Sequence, residues 1–533
     1  MEDTPQMIPT EASDFLEYYR LHHQALDVLV DEEHLFVLAL VQRTPGLNLS
    51  QLKQQVEGDS EKLISICRKL ETAGLIALNV QAEYEMQLQE QGDAILRLLF
   101  APFEPDSATR FQAQSNQTIR MEVSRRKQLV ACLLGMIAIS GCQYAWTLFV
   151  TSLISRLHVE WAAVQGAFSV FVFAQVFSML LSAYPVDRFG PRSVVTISGI
   201  LVGLGWVGSG AAGSVQGLYL SQMIAGLGAG AAYGACIGTA VKWFPDKRGL
   251  CAGLVAGAYV LGAAITGWPI SLTIHRLGDA SAFIVWGIVN GIIVILAAQW
   301  LMPAPANETL RALKIDPPQN VFQSAKNYTP IEMLKTRLFY VLYSMMTLGL
   351  VGGLLITAHL EPMATYFNLR FYVVLGGSSL GLVFFIQRIS NFLSRIFFGG
   401  VSDRIGRYNT MLVAFGLQIL AIVGLVLFPP SPEYFALSTA VLLFAWGEIF
   451  AIYPSIIADI YGTRFATTNY GIQYTSKFFA SLLAAPGAAW LYRIGGPSWR
   501  PVFLATGLCS AAACALALAF RKSITGQMIV NHP

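Results

Sequence analysis

The chain has 533 residues, 54% of them hydrophobic and only 13% charged, with a mean hydropathy of +0.54. So apolar a chain of this length excludes a soluble globular protein and indicates one that crosses a membrane many times. The net charge of +3 conceals a division: residues 1–110 hold 19 acidic and 8 basic side chains, a net of −11, and the rest of the chain carries +14.

Residues 1–105 read as a small soluble α+β domain. An apolar stripe over 32–42 predicts a helix, and Thr44-Pro45-Gly46 a turn. Asn48 to Ser50 can cap a short helix over 51–57. Gly58-Asp59-Ser60 caps a longer one over 61–72, stopped by Ala73-Gly74. Leu75 to Leu78 and Tyr84 to Leu88 alternate as a two-stranded wing, and a last helix follows Gly92. This order of elements is that of a winged helix, and the layout resembles regulators of the multiple-antibiotic-resistance type. Nucleic-acid binding is not expected. Lys62, Arg68 and Lys69 are offset by Glu61 and Glu71, the domain is strongly acidic, and phosphate contacts supply most non-specific affinity. Use in protein contacts or regulation is expected instead. Residues 106–124 read as a polar linker.

From Arg125-Arg126-Lys127 onward, twelve apolar runs alternate with short polar loops. The first six occupy 125–302 and the last six 337–522; a hydrophilic stretch, 303–336, separates them, and 523–533 form a tail. Six, a loop, then six is the two-half plan of the major facilitator fold. Most loop arginines and lysines fall on one side, which the positive-inside rule makes cytoplasmic; the N-terminal domain, central loop and C-terminus follow it there. The acidic N-terminus carries no signal-peptide pattern.

An internal repeat supports the two halves. Asp187-Arg188-Phe-Gly-Pro-Arg192 follows the second run, and Asp403-Arg404-Ile-Gly-Arg407 follows the eighth, its counterpart. Each sets an acid and two arginines in a tight Gly turn. This matches the facilitator superfamily's loop signature, in which charges pair across helix ends and help gate the inner face.

The eleventh run, Tyr470 to Tyr492, is long enough to span a bilayer as one helix, with Lys477 its only charge. A lysine there costs at least about 2.5–3.5 kcal/mol on insertion scales. In the eighth run Arg388, Asn391 and Arg395 fall at i, i+3 and i+7, on one helical face. Counted from the cytoplasmic ends, Arg395 and Lys477 both lie roughly 9–10 Å deep at 1.5 Å per residue. No acid occupies a matching position, so two cations at one depth call for an anion between them. The alternative is that either one snorkels to the headgroups. Arg supplies a planar fork and Lys a point charge, a pair suited to a small carboxylate and best to a dicarboxylate. Gln143, Tyr144, Trp146, Trp161, Gln165, Tyr233, Tyr259 and Trp446 could line a narrow site, though each alone also reads as a packing or interfacial residue. Glu448 is an acid amid the tenth run. It reads as a partner for Lys477 or Arg388, as a proton carrier, or as structural glue.

The stretches Tyr144 to Phe149, Lys242 to Gly249, Tyr328 to Lys335, Ala458 to Thr463, Asn469 to Gly471 and Thr475 to Lys477 carry a resemblance. With them the chain from about 125 to 522 resembles the oxalate/formate antiporter family of the major facilitator superfamily. The resemblance implies a bacterial inner-membrane carrier whose substrate sits between Arg395 and Lys477 in an aromatic cage. Gln143, Tyr144, Gln165, Tyr233, Tyr259, Trp446 and Ser481 match the other site positions. Phe450 departs where the family's pattern has a tyrosine hydroxyl. The family does not usually carry the N-terminal extension.

The expectation is therefore an all-α, 12-helix membrane protein of two six-helix halves, preceded by a small cytoplasmic winged-helix-like domain. It is read as a monomeric secondary transporter exchanging small carboxylates by alternating access. A proton-coupled monocarboxylate symporter and a membrane carboxylate sensor signalling through the N-terminal domain are the alternatives. The seven cysteines form no CxxC and no His-spaced cluster, and no phosphate loop, metal set or nucleophile elbow appears. No cofactor, metal or enzymatic activity is expected.

Overall fold

The structure is a computed structural model. It describes residues 37, 40–41, 51–52, 60–72, 75–79, 85–88 and 105–531, except 306–308, 311–312, 314, 319–320, 325, 367–372, 375–376, 428–431 and 497. The chain divides into two units, Met1–Arg120 and Met121–Pro533.

In the first unit, helix α1 (Ser60–Thr72) precedes strands β1 (Ile76–Asn79) and β2 (Glu85–Leu88). The strands pair antiparallel, with Ile76 opposite Leu88 and Asn79 opposite Glu85. Leu63, Ile66, Leu70, Leu75 and Ile76 are buried, so the apolar stripe of α1 and the start of the hairpin share a core. Helix α1 and the two-stranded hairpin thus stand where the sequence pattern sets them. The helices expected over 32–42, over 51–57 and after Gly92 lie mostly or wholly outside the described residues.

Among the described residues, helical segments follow the twelve apolar runs in order. The first is α2 (Pro105–Tyr144) continued by α3 (Trp146–Leu157), bent by 42°. The second to fourth are α4 (Trp161–Phe189), α5 (Pro191–Ala211) and α6 (Val215–Trp243). The fifth and sixth form one long element, α7 (Arg248–Trp300), broken at Gly278, whose φ of 81° suits glycine alone. A short helix, α8 (Pro330–Leu334), lies in the central stretch and α9 (Arg337–Tyr366) is the seventh crossing. A two-residue hairpin, β3 (Val373–Val374) and β4 (Gly377–Ser378), leads into α10 (Ser379–Ile405), the eighth. The ninth is α11 (Arg407–Leu427), and the tenth is split into α12 (Pro432–Trp446) and α13 (Ile449–Tyr461). The last is α17 (Arg500–Asn531), which also takes in most of the expected tail. Residues 106–124, read as a polar linker, are helical within α2.

The eleventh crossing is not the single helix expected. It runs as α14 (Ala466–Tyr474), α15 (Ser476–Leu482), a π-helical turn over Leu483–Gly487, and α16 (Ala488–Ile494). Pro486 lies in the π turn, where it has no N–H to donate. At the first break Thr475 N–H donates to Ile472 O at 3.2 Å and Phe478 N–H to Thr475 O at 2.9 Å, tightened i→i+3 bonds that keep the backbone satisfied.

Helix α6 is largely enclosed, and its glycines and alanines let neighbours approach closely. Leu181, Trp268 and Leu508, by contrast, are 71%, 73% and 72% exposed, as side chains turned to lipid must be.

Candidate functional site

Three crossings break within a few residues of one polar cluster: the first at Ala145, the tenth at Gly447–Glu448 and the eleventh at Thr475. At Gly447 the backbone passes close to α10: a Cβ there would lie 1.8 Å from Ser394 Oγ. Broken helices at mid-membrane depth recur where backbone lines a binding cavity.

From the first half the cluster takes Gln143 and Tyr144 at the end of α2, Gln175 in α4, Tyr233 in α6 and Tyr259 in α7. Gln175 Nε2 donates to the Tyr259 hydroxyl at 2.8 Å, and that hydroxyl donates to Gln143 Oε1 at 2.7 Å. The Tyr259 ring lies 5.4 Å from that of Tyr144 and 5.3 Å from that of Tyr233. Tyr233 then meets Tyr474 of the second half at 5.7 Å. Its hydroxyl stands beside Arg395 and Tyr474 without a well-aligned hydrogen bond to either.

From the second half come Arg388 and Arg395 on α10, Phe450 on α13, Tyr474 closing α14 and Lys477 opening α15. The Arg388 guanidinium lies 4.7 Å from the centre of the Tyr144 ring, across the two halves. Arg395 is buried. Its Nε donates to Asn391 Oδ1 at 3.1 Å and its Nη1 to the Ala256 carbonyl of α7 at 2.8 Å, and its guanidinium lies 4.2 Å from the centre of the Phe450 ring. Lys477 Nζ donates to the Tyr474 hydroxyl at 3.1 Å. Tyr144, Arg395 and Lys477 lie within electrostatic reach of one another. Among the described residues no carboxylate pairs with Arg395 or Lys477, so a buried and a half-buried cation have only neutral hydrogen-bond partners.

The other expected site residues stand apart to different degrees. The Trp446 ring packs 4.9 Å from Phe450, its Nε1 donates to Leu350 O, and it fills the space a Cβ on Gly353 would need; it walls the cluster through Phe450. Gln165 lies ten residues before Gln175 on α4, roughly 15 Å along the axis at 1.5 Å per residue. Ser481 Oγ donates to Phe478 O within its own helix. Glu448, considered as a partner for Lys477 or Arg388, pairs with neither: it is fully buried and its carboxylate oxygens make no hydrogen bond among the described residues. Gln175 and Tyr474 are the site residues that sequence reasoning missed. Their signals were a second amide deep in an apolar crossing and a tyrosine one helical turn before Lys477.

At the basic ends of the crossings the two halves lock together. Gly190 and Gly406 have φ of 87° and 88°, the matched tight turns expected of the repeat. Asp187 pairs with Lys242, and its other oxygen accepts from Thr468 N–H at 2.8 Å and Thr468 Oγ1 at 2.7 Å, at the start of α14 in the opposite half. Asp403 accepts from Gly249 and Leu250 N–H, both at 2.9 Å, at the start of α7 in the first half. Each half thus lends a carboxylate to a helix N-terminus of the other, where unsatisfied N–H groups and the helix dipole favour an anion. Arg407 bridges Asp403 (2.5 Å) and Asp459 (2.8 Å), and Arg248 also pairs with Asp459 across the halves. Arg192 instead binds Gln299 Oε1 in its own half, Arg188 donates to Tyr184 Oη within its own helix, and Arg404 is exposed.

Residues 131–485 match the Major Facilitator Superfamily. Over 409 residues the chain is 36% identical to the oxalate:formate antiporter of Oxalobacter formigenes, covering 76% of this chain and 93% of that one. The chain belongs to the oxalate/formate antiporter family of the Major Facilitator Superfamily. Another relative in this superfamily is the uncharacterised MFS-type transporter YhjX of Escherichia coli (strain K12), 24% identical over 63% of this chain and 80% of that one. Facilitator structures share the fold. A proton:xylose symporter, XylE, superposes with a TM-score of 0.55 at 15% identity over 75% of this chain and 96% of its own. The human organic anion transporter MFSD10 does so with a TM-score of 0.56 at 14% identity, over 74% of this chain and 99% of its own. This family member is therefore a multi-pass secondary transporter, not an enzyme, and the superfamily match begins beyond the N-terminal unit.

Proposed function

We propose that the protein exchanges small carboxylates of the oxalate/formate type across the membrane, with Arg395 and Lys477 as the anion clamp. The observation that supports this is a pair of cations held by neutral partners: Asn391 and a backbone carbonyl for one, Tyr474 for the other. A dicarboxylate between them replaces like-charge repulsion with two charge-assisted contacts. Gln143, Gln175, Tyr144, Tyr233 and Tyr259 shape the first-half wall, and Phe450, Tyr474 and Trp446 the second. Because the clamp and the facing tyrosines belong to different halves, the substrate bridges them. Residues 125–302 rock against 337–522 once it is bound, and the empty, repelling clamp reorients poorly. The result is exchange rather than uniport.

The basic end is assigned to the cytoplasm, with both termini there and the closed Asp187 and Asp403 contacts as the inner gate. The N-terminal unit is assigned to protein contacts rather than DNA, and the carrier is assigned as a monomer. Glu448 favours a second reading. A fully buried carboxylate with no ion pair is a candidate proton carrier, as a monocarboxylate symporter would need.

Proteoliposomes loaded with oxalate, formate or buffer test this. Labelled oxalate is expected to enter only against an internal anion, and Arg395→Ala and Lys477→Ala are expected to abolish entry. Uptake of a monocarboxylate driven by a pH gradient without internal anion, and lost in Glu448→Gln, would replace exchange by symport.

A further inference from the structure

A second space lies at the basic end, outside the cluster around Arg395. It is a cavity of ≈ 430 Å³ lined from both halves, by the turn after α4, the end of α6, the chain leaving α7, Asn327, and Thr463 with Arg464. That volume suits a small organic molecule rather than a lone ion. Its walls carry three cations, Arg188, Lys242 and Arg464, against one acid, Asp187. Both oxygens of that acid are already engaged, one by Lys242 and the other by Thr468.

The two arginines are therefore the uncompensated charges, one from each half. Arg188 lies 5.3 Å from the centre of the Phe189 ring and donates Nη1 to Tyr184 Oη at 3.2 Å. Arg464 lies 5.4 Å from the centre of the Phe465 ring, and its backbone N–H is fixed by Asn327 Oδ1 at 3.1 Å. Neither forms an ion pair among the described residues. A guanidinium resting on an aromatic face keeps in-plane N–H groups for a bidentate acceptor.

We propose that this cavity is a regulatory site for a phosphate-monoester anion, gripped by Arg188 from one half and Arg464 from the other. A dianionic phosphate offers each fork a pair of oxygens and offsets the surplus charge. Since the walls belong to both halves and the gate bonds of Asp187 form one of them, occupancy fastens the basic end shut. By linkage the ligand binds the closed state better and slows reorientation. The effect on transport rests on the alternating-access reading above; the binding does not. The phosphate comes from a soluble metabolite or from an anionic lipid headgroup.

The test uses the full chain and reads binding without transport. In neutral detergent, thermal stabilisation is titrated with glycerol 3-phosphate, with glycerol and oxalate as controls. In a second arm the protein is placed in phosphatidylcholine nanodiscs with and without phosphatidic acid, which carries the same monoester on a lipid. Saturable stabilisation in the first arm identifies a soluble ligand and in the second a lipid. In either, Arg188→Ala and Arg464→Ala are expected to weaken it about tenfold each, and Arg464→Lys to restore part of it. Ligand-free melting temperatures of the variants show whether they fold. The proposal is overturned if neither arm shows phosphate-dependent stabilisation, if well-folded variants bind as the parent does, or if oxalate matches the phosphate. A chain that binds phosphate here yet exchanges no carboxylate would sink only the exchanger reading.

Discussion

Arg395 lays its guanidinium over Phe450, 4.2 Å from the ring centre. The resemblance leads one to expect a hydroxyl-bearing ring at that position; here the face under the cation carries no hydroxyl. Phe450 in turn contacts Tyr474 at 6.5 Å, and Tyr474 accepts from Lys477, so one aromatic pair connects both members of the clamp. Phe450→Leu removes the face and is expected to raise the KM for exchange about three- to tenfold, the scale of a partly desolvated cation–π contact. Arg395→Lys keeps the charge but loses the fork and the stacking, and is expected to fall further. Counterflow in proteoliposomes measures both.

The chain of hydrogen bonds from Gln175 through Tyr259 to Gln143 fixes the first-half wall. Tyr259→Phe breaks both bonds and leaves two amides short of a partner. Apparent affinity is expected to drop about fivefold, at about 1 kcal/mol for a buried neutral network. Gln175→Leu combined with Tyr259→Phe should cost less than the two single changes together, because they share one bond. Additive losses would show that the network does not act as a unit.

Gln165 and Ser481, expected in the site from the resemblance alone, lie outside the hydrogen-bonded cluster. Gln165→Ala and Ser481→Ala are each expected to change exchange less than about twofold, within the range of substitutions away from a critical contact. A tenfold loss in either would extend the site toward that residue.

Asp403 holds the basic end shut through two backbone N–H groups of the opposite half and Arg407. Asp403→Asn keeps the size but weakens charge-assisted bonds of about 1.5–3 kcal/mol each. The closed end is then expected to open more often. Cys251, buried two residues beyond Gly249, reports this. Its maleimide labelling, followed peptide by peptide, should quicken about tenfold or more relative to the parent chain. Unchanged labelling would mean that the gate does not depend on Asp403.

Glu332 closes a capping box on α8, with Thr329 N–H donating to its carboxylate at 2.8 Å and Lys326 paired at 2.9 Å. Lys326 first, and then Thr329, holds its pKa down from 4.5 to about 2. A depressed carboxylate stabilises above its unfolded pKa, and that contribution is lost as pH falls from about 4.5 through about 2. Exchange between pH 5 and 8 should therefore carry no Glu332 signature, and Glu332→Gln should leave the shape of that pH profile unchanged. A shifted profile in this variant would give the central stretch a role in coupling.

The sequence by itself determined the many apolar crossings of the facilitator fold, and it singled out Asp187, Asp403, Arg395 and Lys477 as charges needing partners. The physical reason is that lipid imposes a length on every crossing and a penalty on every charge, and both can be read along one chain. It also identified α1 and the β1–β2 hairpin from their apolar periods. Only the tertiary structure decided which tyrosines face inward, since lipid is as apolar as leucine and hydropathy does not tell a buried face from an exposed one. Gln175 enters the site and Gln165 does not for that reason. The breaks at Ala145, Gly447 and Thr475, and the capping of Gly249 by Asp403 and of Thr468 by Asp187, likewise arise between residues far apart in the chain. Those pairings exist only once the two halves have packed.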